Sequence, residues 1–377
     1  MTDAADRATW NARAAAAEYA VLGAYVRRAG PFAWSRAAHP ARPGVRGAWD
    51  EASGWHFWWQ AHLIDAAVDA AQHRPTPGRR RRPAVLTRGL RARNLGRWVN
   101  PFYDDIAWLG LALQRDERLT RGAAGVRRIA GRLESAIDPA VGALPWRTGS
   151  DLFNAPANGP AAILLARTGR VGVAAALADW IDETLLDPVT GLVRDGIIGA
   201  PGSWTTRTEL YTYCQGVALA AQLEVALRAP HGERFLARGV ALIDAIAAWC
   251  AEPGRDGVLP AAGGGDGGLF AGITCRYLAW AAGALQDHPD AHARRAAASA
   301  RSLVLRGAEA AWAGRAERAG RPVFAADWRL EAHVPDVAVR PGEKTAGAVG
   351  GSATAEGDLS VQLSAWLALE AAVDLSR

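Results

Sequence analysis

The sequence predicts an all-α protein, a single (α/α)6 barrel domain over residues 1–377 with about twelve helices, six inner and six outer. Helical periodicity dominates the chain, whereas strand signals are short and sparse. Helices that are apolar on every side alternate with amphipathic ones, as expected for inner and outer helices. The connections between helices also recur at a similar spacing. An open superhelical array of helix pairs is the alternative architecture, but its repeats are usually shorter and more regular.

The individual helices follow from apolar periodicity and from stop signals. They are predicted near residues 10–28, 54–73, 84–97, 104–113, 126–137, 155–168, 171–186, 211–228, 232–251, 267–285, 290–313 and 359–374. The fourth is apolar all round and should be buried, whereas the fifth has one apolar stripe and should lie at the surface. The basic run Arg79–Arg82 is bounded by prolines and is interpreted as a solvated loop. The segment at about 315–357 lacks helical periodicity and is predicted to pack on the barrel, anchored by Phe324 and Trp328.

A three-part connection recurs between the fourth helix and the tenth. A helix ends at a Pro and Gly stop signal, a short extended stretch follows, and a polar residue beside Gly opens the next apolar helix. Asn158, Gln215 and Asp266 are these polar residues, and from Asp105 onward the separations are 53, 57 and 51 residues. If the hairpins close in a ring, the starts of the inner helices share one face of the barrel. We therefore expect Asp104, Asp105, Asn158, Gln215 and Asp266 to converge there.

Composition excludes several classes of function. The net charge is only +5, from 43 Lys and Arg against 38 Asp and Glu, and no aromatic residues interleave the one dense basic run. Nucleic acid is therefore not expected as a partner. The three cysteines form neither a disulfide framework nor a zinc motif, and neither a metal nor another cofactor is predicted. We see no signal segment and no long apolar run, which predicts a soluble, cytoplasmic protein without a membrane partner.

The most informative stretch is Asn100–Leu113, where Asp104 and Asp105 open a helix that is apolar on almost every side. Charge at the mouth of a buried helix is costly unless something uses it. The helix N-terminus carries a partial positive charge that helps to keep a carboxylate ionised. Capping of the helix would account for a single aspartate. A pair flanked by aromatic residues instead suggests carboxylates that cleave a sugar, because tryptophan, of which the chain has sixteen, stacks well on sugar faces.

These motifs resemble the endo-α-1,6-mannanases of glycoside hydrolase family 76, from about Trp55 to the C-terminal helix. The most specific element is Tyr103–Asp105 followed by an apolar helix that contains Trp108. Supporting motifs, in order and spacing, are residues 154–162, 190–197, 211–216, 265–267 and 358–364. Two departures lie near the presumed site. Ile106 and the residues after it replace an acidic or small residue and paired aromatics, and Cys214 replaces an expected Asn.

The resemblance implies an (α/α)6 barrel that hydrolyses α-1,6-mannosidic linkages, in mannan or a mannose-containing oligosaccharide, with retention and without a cofactor. Asp104 would be the nucleophile and Asp105 the general acid/base. Adjacent aspartates agree with this, since a retaining enzyme needs carboxyl groups about 5–5.5 Å apart and their mutual repulsion separates their pKa values. Substrate-binding residues are predicted at Tyr103, Trp146, Asn158, Asp195, Tyr213, Gln215 and Asp266. Core packing would account equally well for Trp146, and helix capping for Asp195 and Asp266.

Two other functions stay open at this point. Sugar 2-epimerases share the barrel and abstract protons with paired histidines, but the histidines here do not fall at the repeated helix mouths. A non-catalytic glycan-binding barrel is the second alternative, for which the departures at Ile106 and Cys214 leave room. An activity assay on mannan oligosaccharides separates the three functions.

Overall fold

The computed structural model describes residues 2–37, 55–116, 120–334 and 354–376. These residues form twelve α-helices: α1 (Thr2–Tyr25), α2 (Phe57–His73), α3 (Pro77–Arg93), α4 (Tyr103–Arg115), α5 (Thr120–Glu134), α6 (Ala155–Arg167), α7 (Val171–Leu185), α8 (Thr212–Ala226), α9 (Glu233–Cys250), α10 (Phe270–Leu285), α11 (Ala291–Ala313) and α12 (Leu359–Leu375). Seven short strands accompany them: β1 (Val26–Ala29), β2 (Phe32–Ser35), β3 (Leu152–Asn154), β4 (Gly196–Ala200), β5 (Ser203–Arg207), β6 (Ala316–Arg318) and β7 (Arg321–Val323). All twelve predicted helices are present, although the first, third and fifth begin earlier than predicted.

Burial alternates along the chain as the sequence predicted. The even-numbered helices are buried on nearly every side, whereas α5, α9 and α11 expose one face. Helices that are apolar all round gain most by leaving water, so they become the inner set. The chain divides into two compact units, residues 1–90, 250–279 and 301–377 in the first and residues 91–249 and 280–300 in the second.

In the first unit, the outer helix α1 and the inner helix α2 both pack against α12. The first turns of α10 also lie against α12. A Cβ at Gly272 of α10 would lie 2.4 Å from the carbonyl oxygen of Ser364, so only glycine permits this approach. The Gly272 N–H donates to Ser364 Oγ at 2.8 Å, which joins the two helices at this close approach.

The basic run Arg79–Arg82 is not the solvated loop that the sequence predicted. It forms the first turns of α3, which begins at Pro77, where a missing N–H does not weaken a helix. Arg79 and Arg82 both pair with the carboxylate of Glu18, which is 3% exposed. A carboxylate this buried needs opposite charge beside it. Glu18 of α1, which is far away in the sequence, therefore accounts for Arg79 and Arg82, whereas Arg80 and Arg81 are exposed.

Buried charge also joins α2 to α12 in this unit. The ring of His73 lies 2.7 Å from Glu370 and 2.9 Å from Asp374. Burial disfavours the charged ring, but the hydrogen bonds to these two carboxylates outweigh it and raise the pKa of His73 to about 9. Arg74 pairs with Glu370 as well. A protonated His73 thus completes a cluster of charges that tie the end of α2 to α12.

The segment after α11 starts with the antiparallel hairpin of β6 and β7. Phe324 is completely buried and Trp328 is 5% exposed, as expected of anchoring side chains. Residues 335–353 of the predicted irregular segment lie outside the described residues. Among those described, the stretch Gly265–Leu285 is long and apolar enough to cross a membrane, but 72% of it is buried inside the protein, as in a core helix.

In the second unit, the inner helices α4, α6 and α8 pack side by side, with the outer helices α5 and α7 against them. Gly159 of α6 faces Val217 of α8 so closely that a Cβ would lie 2.5 Å from the valine side chain. Farther along the same pair, Arg167 binds the fully buried Glu224 at 2.5 Å. A three-stranded antiparallel sheet, in the order β3–β4–β5, lies between α5 and α8 in the sequence. This sheet positions several of the predicted site residues.

Candidate active site

The two aspartates lie in the first turn of α4, as predicted. Asp105 is 9% exposed, and Asp104 is half-buried. Phe102 precedes the helix in an extended conformation and provides no side-chain cap, so the free N–H groups of the first turn are left to other partners. The positive end of the helix dipole favours negative charge at this position. Two carboxylates are therefore held at the mouth of an inner helix, one of them accessible.

Each carboxylate is held by a different neighbour. Trp146 donates its indole N–H to Asp104 Oδ2 at 3.0 Å, and the Asp105 backbone N–H donates to Asp104 Oδ1 at 2.8 Å. Asn100 donates its side-chain amide to Asp105 Oδ2 at 2.6 Å. Asn100 is itself oriented, since its Oδ1 accepts the Phe102 N–H at 2.9 Å. These hydrogen bonds set the two carboxylates in distinct and defined orientations.

Trp146 is placed by strand-like pairing on both sides of its backbone. Its carbonyl oxygen accepts the Tyr103 N–H at 3.0 Å, and its own N–H donates to the Leu152 carbonyl at 2.7 Å. Its indole is half-buried, with the Phe102 ring 5.1 Å away at a steep angle. A partly exposed indole beside a carboxylate is suited to contact a sugar ring. The predicted position of Trp146 in the site therefore agrees with its geometry.

Asp195 ends the extended stretch that leads into β4, and it is 5% exposed. Its carboxylate lies 3.1 Å from Nε of Arg207, at the end of β5. Burial raises the pKa of Asp195 to about 6, with Arg207 opposing the shift and Glu209 adding to it. A carboxyl group that titrates near neutral pH is a common feature of functional sites. Asp195 is therefore retained as a candidate for contacting substrate.

We expect the Asp195→Asn substitution to change how stability depends on pH. The folded-state pKa of about 6 lies above the usual ~3.9, so the folded protein binds this proton more tightly than the unfolded chain does. Wild type should therefore lose stability as the pH rises from about 4 to 6, by up to ~3 kcal/mol, and the variant should not. Urea unfolding of both proteins across this pH range measures the difference. Parallel pH profiles would contradict the assignment.

Tyr213 lies in the first turn of α8 and is half-buried. Its ring centroid is 6.1 Å from that of Tyr211, the residue before the helix. Burial raises the pKa of Tyr211, and the charges of Glu209 and Asp195 add to the rise. Tyr213 thus belongs to an aromatic and acidic group around Asp195, which agrees with its predicted place in the site.

Asn158 and Gln215 have a different role from the predicted contact with substrate. Both side chains are completely buried. The amide of Asn158 accepts the Leu144 N–H at 2.8 Å and donates to the Leu144 carbonyl at 2.9 Å. Gln215 pairs with Val193 in the same way, at 2.7 Å for both hydrogen bonds. Each side-chain amide bonds both the N–H and the carbonyl of one residue in the extended segment before its helix, as a neighbouring strand would. Its polar atoms are therefore already used by backbone groups.

Tyr103 is also directed away from the predicted role. It is 4% exposed, and its hydroxyl accepts a hydrogen bond from Arg132 of α5 at 2.8 Å and lies 3.1 Å from Thr148 Oγ1. The Arg132 guanidinium lies over its ring at 5.2 Å. These contacts anchor the start of α4 to the outer helix α5. Its part in the site is to support the aspartates that follow it.

Asp266 belongs to the first unit, whereas the other predicted site residues belong to the second. It lies in the single turn that precedes α10, and its side chain is 58% exposed. Its Oδ1 accepts the indole N–H of the buried Trp59 at 3.0 Å. The His56 ring stacks on Trp59 with centroids 4.3 Å apart. Asp266 is thus oriented and open to solvent, and its contact with substrate stays a prediction.

Two residues of the site were not identified from the sequence. Asn100 orients Asp105, and its position five residues earlier, before Pro101, gives a weak signal at best. Arg207 pairs with Asp195 only because β4 and β5 form a hairpin, which the sequence reading did not predict. Within the ranges that the structure describes, no group of three or more His, Cys, Asp or Glu side chains is arranged to hold a metal ion.

Comparisons with known proteins identify the family and the fold of this chain. The profile of glycosyl hydrolase family 76 matches residues 36–331. The GH76A α-1,6-mannanase from Salegentibacter sp. HEL1_6 is similar in structure, with a TM-score of 0.78 and 24% identity over 97% of this chain and 99% of that chain. An inactive variant of it, with two consecutive aspartates replaced by asparagine and α-1,6-mannotriose bound, gives a TM-score of 0.77 and 23% identity over the same shares. The Lin0763 protein from Listeria innocua is also similar in structure, with a TM-score of 0.75 and 21% identity over 96% of each chain.

No curated protein sequence matches this chain significantly. The similar structures are (α/α)6 barrels, which confirms the fold class predicted from the sequence. The match to the family profile defines this protein as a glycoside hydrolase by class, and the helical barrel is the fold expected of that class. The chain belongs to glycosyl hydrolase family 76, because the family profile covers most of its length.

Proposed function

We propose that this protein hydrolyses α-1,6-mannosidic linkages with retention of the anomeric configuration, using Asp104 and Asp105. The observation that carries the proposal is the adjacent pair at the start of α4, with Trp146 on one carboxylate and Asn100 on the other. A related α-1,6-mannanase that binds α-1,6-mannotriose is inactive when two consecutive aspartates are replaced. That pair supports the same assignment for this chain, and the bound trisaccharide supports the substrate class.

Asp104 is the nucleophile in this proposal. The Trp146 indole N–H and the Asp105 backbone N–H both donate to it, which favours the anionic form that attacks the anomeric carbon. Its half-buried position leaves it accessible to a bound sugar. Attack by Asp104 forms a mannosyl ester, and the bond to the departing oxygen breaks.

Asp105 is the general acid/base. It protonates the departing oxygen in the first step, and as the resulting carboxylate it removes a proton from water in the second. Water then attacks the mannosyl ester, which releases mannose-terminated product and regenerates the Asp104 carboxylate. The Asn100 amide holds Oδ2 of Asp105 at 2.6 Å, whereas Trp146 holds Asp104, so the two neighbouring carboxyl groups have different partners for their two roles. Trp146, Asp195 and Tyr213 are proposed to contact the sugar.

Product analysis on linear α-1,6-mannan, beside α-1,6-glucan, tests the substrate class. We expect the mannan to be shortened and the glucan to be left intact, since the axial 2-hydroxyl of mannose distinguishes the two. Release of a different sugar by isomerisation would favour an epimerase, and binding of mannan without cleavage would favour a glycan-binding barrel.

The stereochemistry of the first product tests the role of Asp104. Adjacent Cα atoms lie about 3.8 Å apart, and two aspartates that face one sugar cannot reach the ~6.5–9.5 Å that inversion requires. Proton NMR of a fresh digest of α-1,6-mannan should therefore show the α-anomer first, with the β-anomer growing in only by mutarotation. A β-anomer that appears first would contradict the assignment and would direct the search for a partner carboxylate to Asp195.

A further inference from the structure

The strand pairing next to Asp104 fixes which side chains share a face. Pro145 pairs with Phe153, so Trp146 lies opposite Leu152. Leu152 pairs with Ile198 of β4, and Ile198 pairs with Thr205 of β5. Directly opposed residues of an antiparallel sheet point to the same side. Trp146, Leu152, Ile198 and Thr205 therefore form one row across four adjacent strands, which we call the platform row.

The two faces of this sheet differ in burial. Phe153 and Ile197, on the face opposite the platform row, are 4% and 6% exposed. Leu152 and Ile198 are half-buried, and Thr205 is exposed. Trp204 lies on the side of Phe153, with ring centroids 5.8 Å apart. The platform row is thus the more open side of the sheet, and the exposed Trp204 is not part of it.

The platform row begins at the catalytic aspartate and extends away from it. Trp146 at its near end donates its indole N–H to Asp104 at 3.0 Å. Neighbouring strands lie ~4.8 Å apart, so Thr205 at the far end is about 14 Å from the Trp146 strand. That length exceeds one pyranose ring, and the row is continuous because each member is paired directly with the next.

The side chains of the row have the chemistry of a sugar-binding surface. A pyranose ring presents apolar C–H faces and a rim of hydroxyls, which suits an indole followed by Leu152 and Ile198. Thr205 adds a hydroxyl at the far end. Arg207, two residues along β5 and so on the same face, adds N–H donors, with its side chain 39% exposed. Apolar side chains thus lie nearest to the aspartate, and the hydrogen-bonding groups lie at the far end of the row.

We propose that the platform row binds the sugar units beyond the one at Asp104, so that the protein prefers α-1,6-linked mannose chains longer than a disaccharide. This inference rests on the proposed function, since it takes Asp104 as the point of cleavage. It gives β4 and β5 a role in selecting chain length. The proposal also predicts that Trp204 has no part in binding, although this tryptophan of the β4–β5 hairpin is exposed.

Thr205 and Thr206 provide a matched test, because both are exposed neighbours on β5 and point to opposite faces. In an Asp104→Asn background, which prevents cleavage, calorimetry measures the dissociation constants of α-1,6-mannobiose and α-1,6-mannotetraose. We expect Thr205→Lys to weaken tetraose binding by about tenfold more than biose binding, because a long side chain then occupies the far end of the row. Thr206→Lys and Trp204→Ala should leave the ratio of the biose dissociation constant to the tetraose dissociation constant as it is in the Asp104→Asn protein.

Each outcome decides the proposal. An unchanged ratio in Thr205→Lys, or an equal change in Thr206→Lys, would overturn the platform row while leaving the proposed hydrolysis intact. If the background protein binds the tetraose no better than the biose, the platform row is likewise overturned. If the wild-type protein fails to cleave mannotetraose but Thr205→Lys still lowers the ratio, the proposed hydrolysis fails and the platform row stands as a binding surface. Melting temperatures of the three variants confirm that they are folded.

Discussion

Asparagine in place of Asp104 or of Asp105 is expected to lower kcat/KM on α-1,6-mannooligosaccharides by ~10²–10⁴-fold. Each variant keeps the shape of the side chain and the hydrogen bond from Trp146 or Asn100, but it removes the nucleophile or the proton donor. Thermal stability should stay near that of wild type or rise, since two close carboxylates at a buried helix start repel one another. Initial rates on mannotetraose and melting curves measure both effects.

The matched control is Asp287→Asn, which removes one negative charge from an exposed position after α10. It should leave both rate and melting temperature unchanged. If either site variant keeps more than about a tenth of the wild-type rate, the catalytic assignment is wrong, because an essential acid, base or nucleophile contributes more than that.

The two aspartates should also differ from each other when the leaving group is varied. A dinitrophenolate needs no proton to depart, so Asp105→Asn should lose far less activity on dinitrophenyl α-mannoside than on mannotetraose. Asp104→Asn should lose activity on both, since attack on the anomeric carbon is needed in either case. Equal losses on the aryl mannoside would contradict the division of roles between nucleophile and acid.

Leucine in place of Gln215 is expected to lower the free energy of unfolding by about 2–6 kcal/mol. The substitution keeps the size of the side chain but leaves the Val193 N–H and carbonyl without the amide that pairs with both at 2.7 Å. Val193 is 2% exposed, so water cannot replace the lost hydrogen bonds. Urea unfolding measures the change, and each buried unpaired group accounts for about 1–3 kcal/mol.

Gln286→Leu is the control for this prediction, because Gln286 is exposed at the end of α10. We expect its effect to stay within about 0.5 kcal/mol. If Gln215→Leu is as stable as this control yet binds mannotetraose poorly, then Gln215 contacts substrate after all, and the original sequence-based prediction for it would be restored.

The polar residue that recurs at the start of the inner helices was predicted correctly in its position but not in its role. The spacing of Asp105, Asn158 and Gln215 correctly marked the starts of inner helices. The spacing did not distinguish the Asp105 carboxylate of the candidate site from an amide that pairs with the backbone of the preceding segment. Gln362 of α12 pairs with the backbone of Phe324 in the same way, at 2.9 and 3.0 Å, although the sequence spacing did not group it with the others. Asn158, Gln215 and Gln362 thus support the backbone of a preceding segment, whereas Asp104 and Asp105 do not have this role.

The sequence by itself determined the helical class, the alternation of inner and outer helices, and the acidic pair at the mouth of α4. These are local properties, because apolar periodicity and stop signals act over a few residues and are visible without any partner. Only the tertiary structure decided the neighbours of each charged group. Trp146 reaches Asp104 from 42 residues away, and Glu18 receives arginines from more than 60 residues away. Such pairings depend on how helices and strands pack, because a buried charge or amide needs a partner, and packing determines which group lies next to it.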